Sequence, residues 1–188
     1  LVAPFVGPGR TRTVALPARD DGAGYVDWWD LGGDAIAGGT SVSFTAPSAR
    51  ESPLYVVEGA IVPLVVDSDA TGFAPASDPR AFADALTVMC FPGPRPTTFT
   101  LHDDDDSTGT IAQHDGHVAL DGVSGRVILR VRTSAAGASS VTVDGKSVAA
   151  VTDLAALATG EAAFVVDAAG RAVWIAVPDG AHADVALR

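Results

Sequence analysis

The stretch Gly125-Arg126-Val127-Ile128-Leu129-Arg130-Val131-Arg132 constrains the fold of this chain more than any other. Basic and apolar residues alternate along it, and a period of two belongs to a β-strand whose successive side chains point to opposite faces. It predicts a strand with one wet face and one buried face. The same signal recurs. Residues 11–16 alternate and stop at Pro17, and Ser41-Val42-Ser43-Phe44-Thr45 alternates after Gly38-Gly39. Leu54-Tyr55-Val56-Val57 and Ala60-Ile61-Val62 flank Glu58-Gly59, which predicts a tight turn with glycine at positive φ.

Further strands are expected at 85–91 and 97–101. Val141-Thr142-Val143, Asp144-Gly145 and Lys146-Ser147-Val148 read as a hairpin, because Asp-Gly suits a type I′ turn. A last hairpin is expected from 163–166 and 172–177 around a turn at 167–170. Residues 153–159 read as a short helix, capped by Thr152 or Asp153 and closed by Gly160. Many short strands with frequent turns define an all-β chain of sandwich or barrel type. Turn-formers dominate from about Asp67 to Arg80. The expected organisation is two consecutive antiparallel β-sandwich domains, 1–66 and 84–188, joined by a linker at 67–83.

Composition narrows the function classes. Of 188 residues, 47% are hydrophobic and 19% charged, enough apolar material for a core and too little charge for a disordered chain. With 23 acidic against 12 basic residues the net charge is −11, which argues against nucleic acid and against an anionic membrane surface as partners. No apolar run approaches the roughly 18–20 residues of a membrane span. Cys90 is the single cysteine, so neither an intrachain disulfide nor a cysteine-based zinc site is expected. The expectation is a soluble protein, cytoplasmic or secreted. Leu1-Val2-Ala3-Pro4-Phe5-Val6 begins in mid-strand, without methionine or a basic leader, so the chain is expected to be a piece of something longer.

The residues that carry chemistry are sparse. Gly122-Val123-Ser124-Gly125 lacks the spacing of a nucleophile elbow, and no phosphate loop or dinucleotide fingerprint occurs. Acids are plentiful but sit in turns, so no pair of catalytic carboxylates can be picked by pattern. His102, His114 and His117 would suit a metal only if the fold brought them together. The plainer reading of His114-Asp115-Gly116-His117 is a solvated hairpin turn. The run Asp103, Asp104, Asp105 and Asp106 supplies calcium-type ligands but lacks the alternating order of a calcium loop. Its plainer reading is an acidic loop capping a strand. Tyr25-Val26-Asp27-Trp28-Trp29-Asp30 is the densest aromatic stretch. Aromatic faces stack on sugars, and they also fill cores and interfaces; neighbouring residues pointing one in and one out favour packing.

The order of segments resembles the region after the catalytic barrel in glycoside hydrolase family 31, which includes α-glucosidases and α-xylosidases. Leu1-Val2-Ala3-Pro4-Phe5-Val6, Arg12-Thr13-Val14-Ala15-Leu16-Pro17 and Tyr25-Val26-Asp27-Trp28-Trp29 are similar to that family's Leu-Val-Ala-Pro-Val, Thr-Val-Tyr-Leu-Pro and Trp-Tyr-Asp-Trp-Trp segments. Pro53-Leu54-Tyr55-Val56-Val57-Glu58-Gly59-Ala60-Ile61-Val62-Pro63 is similar to its Pro-Leu-Phe-Val-Arg-Ala-Gly-Ser-Ile-Ile-Pro segment. Phe99-Thr100-Leu101-His102-Asp103-Asp104-Asp105-Asp106 is similar to its Phe-Thr-Leu-Tyr-Glu-Asp-Asp-Gly segment. The chain departs from the pattern at Ser52, at Val57-Glu58, at His102 and at Asp106. Beyond about residue 125 it matches only as strand-rich sequence.

The resemblance implies a proximal and a distal β-sandwich that follow a (β/α)8 barrel. It places the catalytic aspartates of a retaining α-glycosidase upstream of Leu1, so no catalytic residue and no cofactor are expected here. The expected role is accessory: the C-terminal support of such an enzyme, with the barrel as partner and an oligosaccharide as a further one. An apolar face is expected on the first domain, with Phe5, Trp28, Trp29 and Tyr55 as candidates for barrel or carbohydrate contact. Rival readings are a stand-alone carbohydrate-binding module and a structural sandwich with no sugar role.

Overall fold

The computed structural model describes residues 1–3, 9–46, 52–64, 82, 84–103, 106–133 and 138–188. The expected linker at 67–83 lies outside these residues except for Phe82, and so do Phe5, Asp104 and Asp105.

The described chain is almost entirely β. Five strands precede the linker: β1 (Thr11–Ala15), β2 (Tyr25–Asp27), β3 (Ser41–Thr45), β4 (Tyr55–Val57) and β5 (Ile61–Leu64). After it come β6 (Leu86–Cys90), β7 (Thr97–His102), β8 (Thr108–His114), β9 (His117–Asp121), β10 (Val127–Arg132) and β11 (Val141–Val143). The chain closes with β12 (Lys146–Ser147), β13 (Ala149–Ala150), β14 (Ala163–Asp167), β15 (Ala172–Val177) and β16 (His182–Leu187). A 3-10 helix, Leu154–Thr159, lies between β13 and β14. Asp153 caps it by accepting the Ala156 amide at 3.0 Å, and Gly160 closes it at φ 81°.

Two six-stranded sheets form the C-terminal sandwich. The first has the order β13-β14-β15-β10-β6-β5 and the second β12-β11-β16-β9-β8-β7. Val88, Val118, Val123, Leu129, Val173, Ile175 and Val185 fill the space between them. Each buried aliphatic side chain of this kind contributes about 1.5–3 kcal/mol. Antiparallel pairing, the expectation, holds at every described pair but two: β6 with β10, and β13 with β14, run parallel. A parallel neighbour requires a crossover. For β6 and β10 the crossover is the meander β7-β8-β9 in the facing sheet, and for β13 and β14 it is the 3-10 helix.

Before β5 the chain makes two small ribbons, β1 with β3 and β2 with β4. Val14, Leu16, Tyr25 and Tyr55 pack between them. The expected turn at Glu58-Gly59 is present, with Gly59 at φ 95° and the Ala60 amide bonded to Val57 O at 3.1 Å. The strands it joins do not pair with each other. β4 stays with β2, whereas β5 crosses to the edge of the first large sheet and pairs with β6. Pro63 fits there because an edge strand has one side with no ladder partner for an amide.

One expectation is overturned at β10. Its alternation predicts a wet face, but the strand is buried on both sides, and Arg130 is only 3% exposed. Val127, Leu129 and Val131 face the sandwich interior. The other face of the sheet is covered in turn. Val26, Val56, Trp28 and Leu31 of the N-terminal ribbons pack against Met89 and Phe91. Phe82 and Leu157 pack against Ile128 and Trp174.

Candidate functional site

The first candidate region is the aromatic segment after β2. Trp28 and Trp29 follow each other in a turn and point apart. Trp28 is half-buried against Val26, Val56, Met89 and Phe91, and Trp29 is 42% exposed. The exposed indole is nevertheless fixed. Its Nε1 donates to Ser52 O at 2.8 Å, and the Trp29 amide donates to Asp27 Oδ1 at 2.9 Å. Burial pushes the Asp27 carboxyl above its ordinary value, against the Trp29 N–H, which favours the charged form; nearby Asp30 adds to the rise.

Leu1 and Val2 lie beside this segment through β4. Tyr55 exchanges hydrogen bonds with Leu1, Val2 bridges to Leu54, and the Trp28 amide donates to Leu54 O on the other side. Leu1, Val2 and Trp29 are three of the four exposed large hydrophobic residues among those described. Tyr55 does not join them: at 2% exposure its ring is part of the core with Val14, Leu16 and Tyr25. Burial also raises the pKa of its phenol, with the charge on Asp27 adding to the effect.

The second candidate region, the histidines and the acidic run, is dispersed. His102 pairs with Thr108 at one end of β8, and His114 pairs with His117 at the other. At about 3.4 Å per residue those ends are roughly 20 Å apart. His114 and His117 instead flank the hairpin turn at Asp115 and Gly116, both at positive φ. Their imidazoles approach Asp115 at 3.0 Å and Asp184 at 3.9 Å. Asp103 and Asp106 are exposed in a turn closed by Asp106 N to Asp103 O at 3.1 Å. Among the described residues no group of three or more histidine, cysteine or acidic side chains is placed to hold a metal ion.

Many described aspartates are engaged by backbone turns. Asp21 accepts from Ala23, Asp167 from Gly170 and Asp179 from Ala181, at 3.1, 2.8 and 3.0 Å. Asp144 accepts the Asp184 amide at 2.9 Å. Asp21 also pairs with Arg19, which holds its carboxyl down at about 2. Open grooves among the described residues of the sandwich include two. One of about 580 Å³ is lined by Asp144, Lys146, Asp179 and His182, among others; one of about 240 Å³ includes Arg132, Thr133 and Arg188. Neither is lined by tryptophan, tyrosine or phenylalanine, so neither offers a flat platform for a sugar ring.

A third cluster has no sequence signature. Glu58 Oε2 accepts the Gly24 amide at 2.9 Å, and Oε1 lies 3.7 Å from Nη1 of Arg132. Arg132 Nη2 donates to Gly33 O at 2.8 Å, and Arg171 pairs with Asp34. These contacts tie the C-terminal sandwich to the loop that carries the two tryptophans. The available signal is Glu58 itself, an acid standing between an apolar strand and a glycine.

No protein-family model matches the sequence, and no curated protein does. Solved structures share the fold. The cycloalternan-forming enzyme of Listeria monocytogenes, determined with a pentasaccharide substrate, superposes over 99% of this chain with a TM-score of 0.79 and 23% identity. The GH31 dextranase FjDex31A of Flavobacterium johnsoniae, determined with glucose, superposes over 100% with a TM-score of 0.75 and 19% identity. A glucosidase II α subunit superposes over 100% with a TM-score of 0.58 and 14% identity. The chain therefore has the fold of an all-β segment found in these enzymes. It spans 18%, 25% and 22% of their lengths respectively. No helix among the described residues is long and apolar enough to cross a membrane.

Proposed function

We propose that this chain is the non-catalytic C-terminal support region of a family 31 glycoside hydrolase, a retaining α-glycosidase acting on α-glucosides or α-xylosides. In this reading 1–66 and 84–188 are its proximal and distal units. The observation that carries it is the asymmetry of the structural match: the fold accounts for 99–100% of this chain and 18–25% of each enzyme. The family-like order of segments points the same way. Hydrolysis needs a carboxylate nucleophile and a carboxylic acid held at a set spacing, and such a pair belongs in the barrel that this reading places upstream. The partner is that catalytic part of the same protein, and the apolar surface around Leu1, Val2 and Trp29 is where it docks.

The test uses the whole chain as a separate polypeptide. It should leave p-nitrophenyl α-glucoside and α-xyloside intact, and it should bind the catalytic part encoded upstream in the same reading frame. Replacing Trp29 with serine should weaken that association by about tenfold or more, as removal of a central aromatic anchor does. Hydrolysis by the isolated chain, or no association with the catalytic part, overturns the proposal. The runner-up is a carbohydrate-binding module, favoured by the fixed and exposed indole of Trp29. Saturable binding of maltooligosaccharides by the isolated chain, lost in Trp29→Ser, would select it instead.

A further inference from the structure

The loop that presents Trp29 contains Gly32-Gly33, and adjacent glycines give a segment high conformational freedom when nothing holds it. The N-terminal part holds the loop at Trp29, through Asp27 Oδ1 and Ser52 O, and past Trp29 the loop's own backbone bonds are local, Asp30 N to Asp27 O at 3.2 Å and Gly33 N to Asp30 O at 3.0 Å. Beyond Trp29, further restraints come from the C-terminal sandwich. A Cβ at Gly32 would run directly into the carbonyl of Ala169, so the loop meets the turn between β14 and β15 at backbone contact. Arg132 holds Gly33 O from β10, and its side chain is only 11% exposed. Arg171 holds Asp34 from the turn just before β15.

We infer that Arg132 and Arg171 are positioning residues for the Trp29 surface. The C-terminal sandwich, through these two guanidinium groups, fixes the loop on which the N-terminal ribbons present their exposed indole. The inference rests on the docking reading above, and it gives the sandwich a part in docking although the indole itself belongs to the ribbons. The arginine fork explains the residue type. Arg132 directs one nitrogen at Gly33 O and the other towards Glu58, a division of donors that a lysine ammonium does not reproduce in fixed geometry.

Hydrogen exchange of the full chain, read by NMR at single amides and at the Trp29 indole N–H, tests this. Arg132→Met should speed exchange at the Gly33 amide and the Trp29 indole by about tenfold while Leu129 and Val173 in the core stay protected. Arg132→Lys should fall between Met and the parent. Asp34→Asn, at a side chain 87% exposed and so harmless to folding, should give a smaller acceleration confined to the same loop. Unchanged loop exchange in both Arg132→Met and Asp34→Asn overturns the inference, and so does equal acceleration throughout the chain. Affinity for the catalytic part is measured in parallel. If the parent chain does not bind it, the docking reading fails while the exchange pattern still decides whether the sandwich fixes the loop. If it binds and Arg132→Met loosens the loop without weakening binding, the inference fails and the docking reading stands.

Discussion

The Arg130 guanidinium lies over the indole of Trp174, 5.7 Å from the ring centroid, directly across the β10–β15 pair. Its Nη2 donates to Gly170 O at 2.8 Å, whereas Nη1 has no hydrogen-bond partner. Burial brings its pKa down to about 10, with Asp167 pulling the other way. Below about pH 10 Arg130 is charged in the folded and unfolded chain alike and its burial costs the fold stability, and that cost fades only as the pH climbs from there towards the ordinary value.

Removing the charge while keeping the volume should therefore be tolerated. Arg130→Met is expected to unfold within about 1 kcal/mol of the parent in urea, because lost cation–π attraction and relieved desolvation oppose each other. Arg130→Ala, which also empties the space over Trp174, should be less stable by about 2–4 kcal/mol. A methionine variant as unstable as the alanine variant would show that the charge stabilises the fold.

Cys90 offers a probe of opening. It is fully buried, and burial pushes its thiol up to about 12. The native chain should not react with Ellman's reagent at pH 8, and one thiol should react once the chain is unfolded in guanidinium. Rapid native labelling would mean that the sandwich opens locally at β6.

Asp27 should make stability depend on pH. Its folded pKa is raised by burial, so below the ordinary carboxylate range both states are protonated and there is no effect. As the pH rises the unfolded chain ionises first, and the fold loses stability until Asp27 ionises too. Asp27→Asn keeps an oxygen for the Trp29 amide and abolishes that loss. Its melting temperature should match the parent at pH 3 and exceed it slightly at pH 7. A lower value at pH 7 would mean that the negative charge itself holds the loop.

Gly32→Ala tests the backbone contact between the loop and the turn before β15. The added methyl would collide with Ala169 O, which cannot swing aside as a side chain can. A loss of about 1–3 kcal/mol in urea unfolding is expected, as for other overpacked sites. Gly125→Ala meets nothing within 4 Å of its Cβ but sits at φ 73°, so it isolates the cost of positive φ alone.

How much of this was legible depends on the range of the interactions. Local features were: the Asp144-Gly145 hairpin with φ of 51° and 71°, the Asp153 and Gly160 caps, and the Asp115-Gly116 turn each follow from neighbouring residues. The in-and-out disposition of Trp28 and Trp29 also followed from adjacency. The burial of Arg130 and the partial burial of Arg132 did not, because alternation gives the period of a strand and not what covers its second face. The partners of Arg132 are Glu58 and Gly33, and residue 33 is 99 positions away. The destination of β5 was equally hidden, since the Glu58-Gly59 turn is compatible with a hairpin and with a crossing to another sheet.

The crossing of β5 has a consequence for any attempt to produce the C-terminal part separately. A polypeptide starting at residue 84 would lack the strand that covers the outer edge of β6, whose residues Val88, Met89 and Cys90 are all fully buried in the intact chain. Its bare backbone groups would be a template for strand addition by other molecules. Such a truncation should precipitate or form β-rich oligomers, and supplying residues 52–66 as a peptide should restore it to solution.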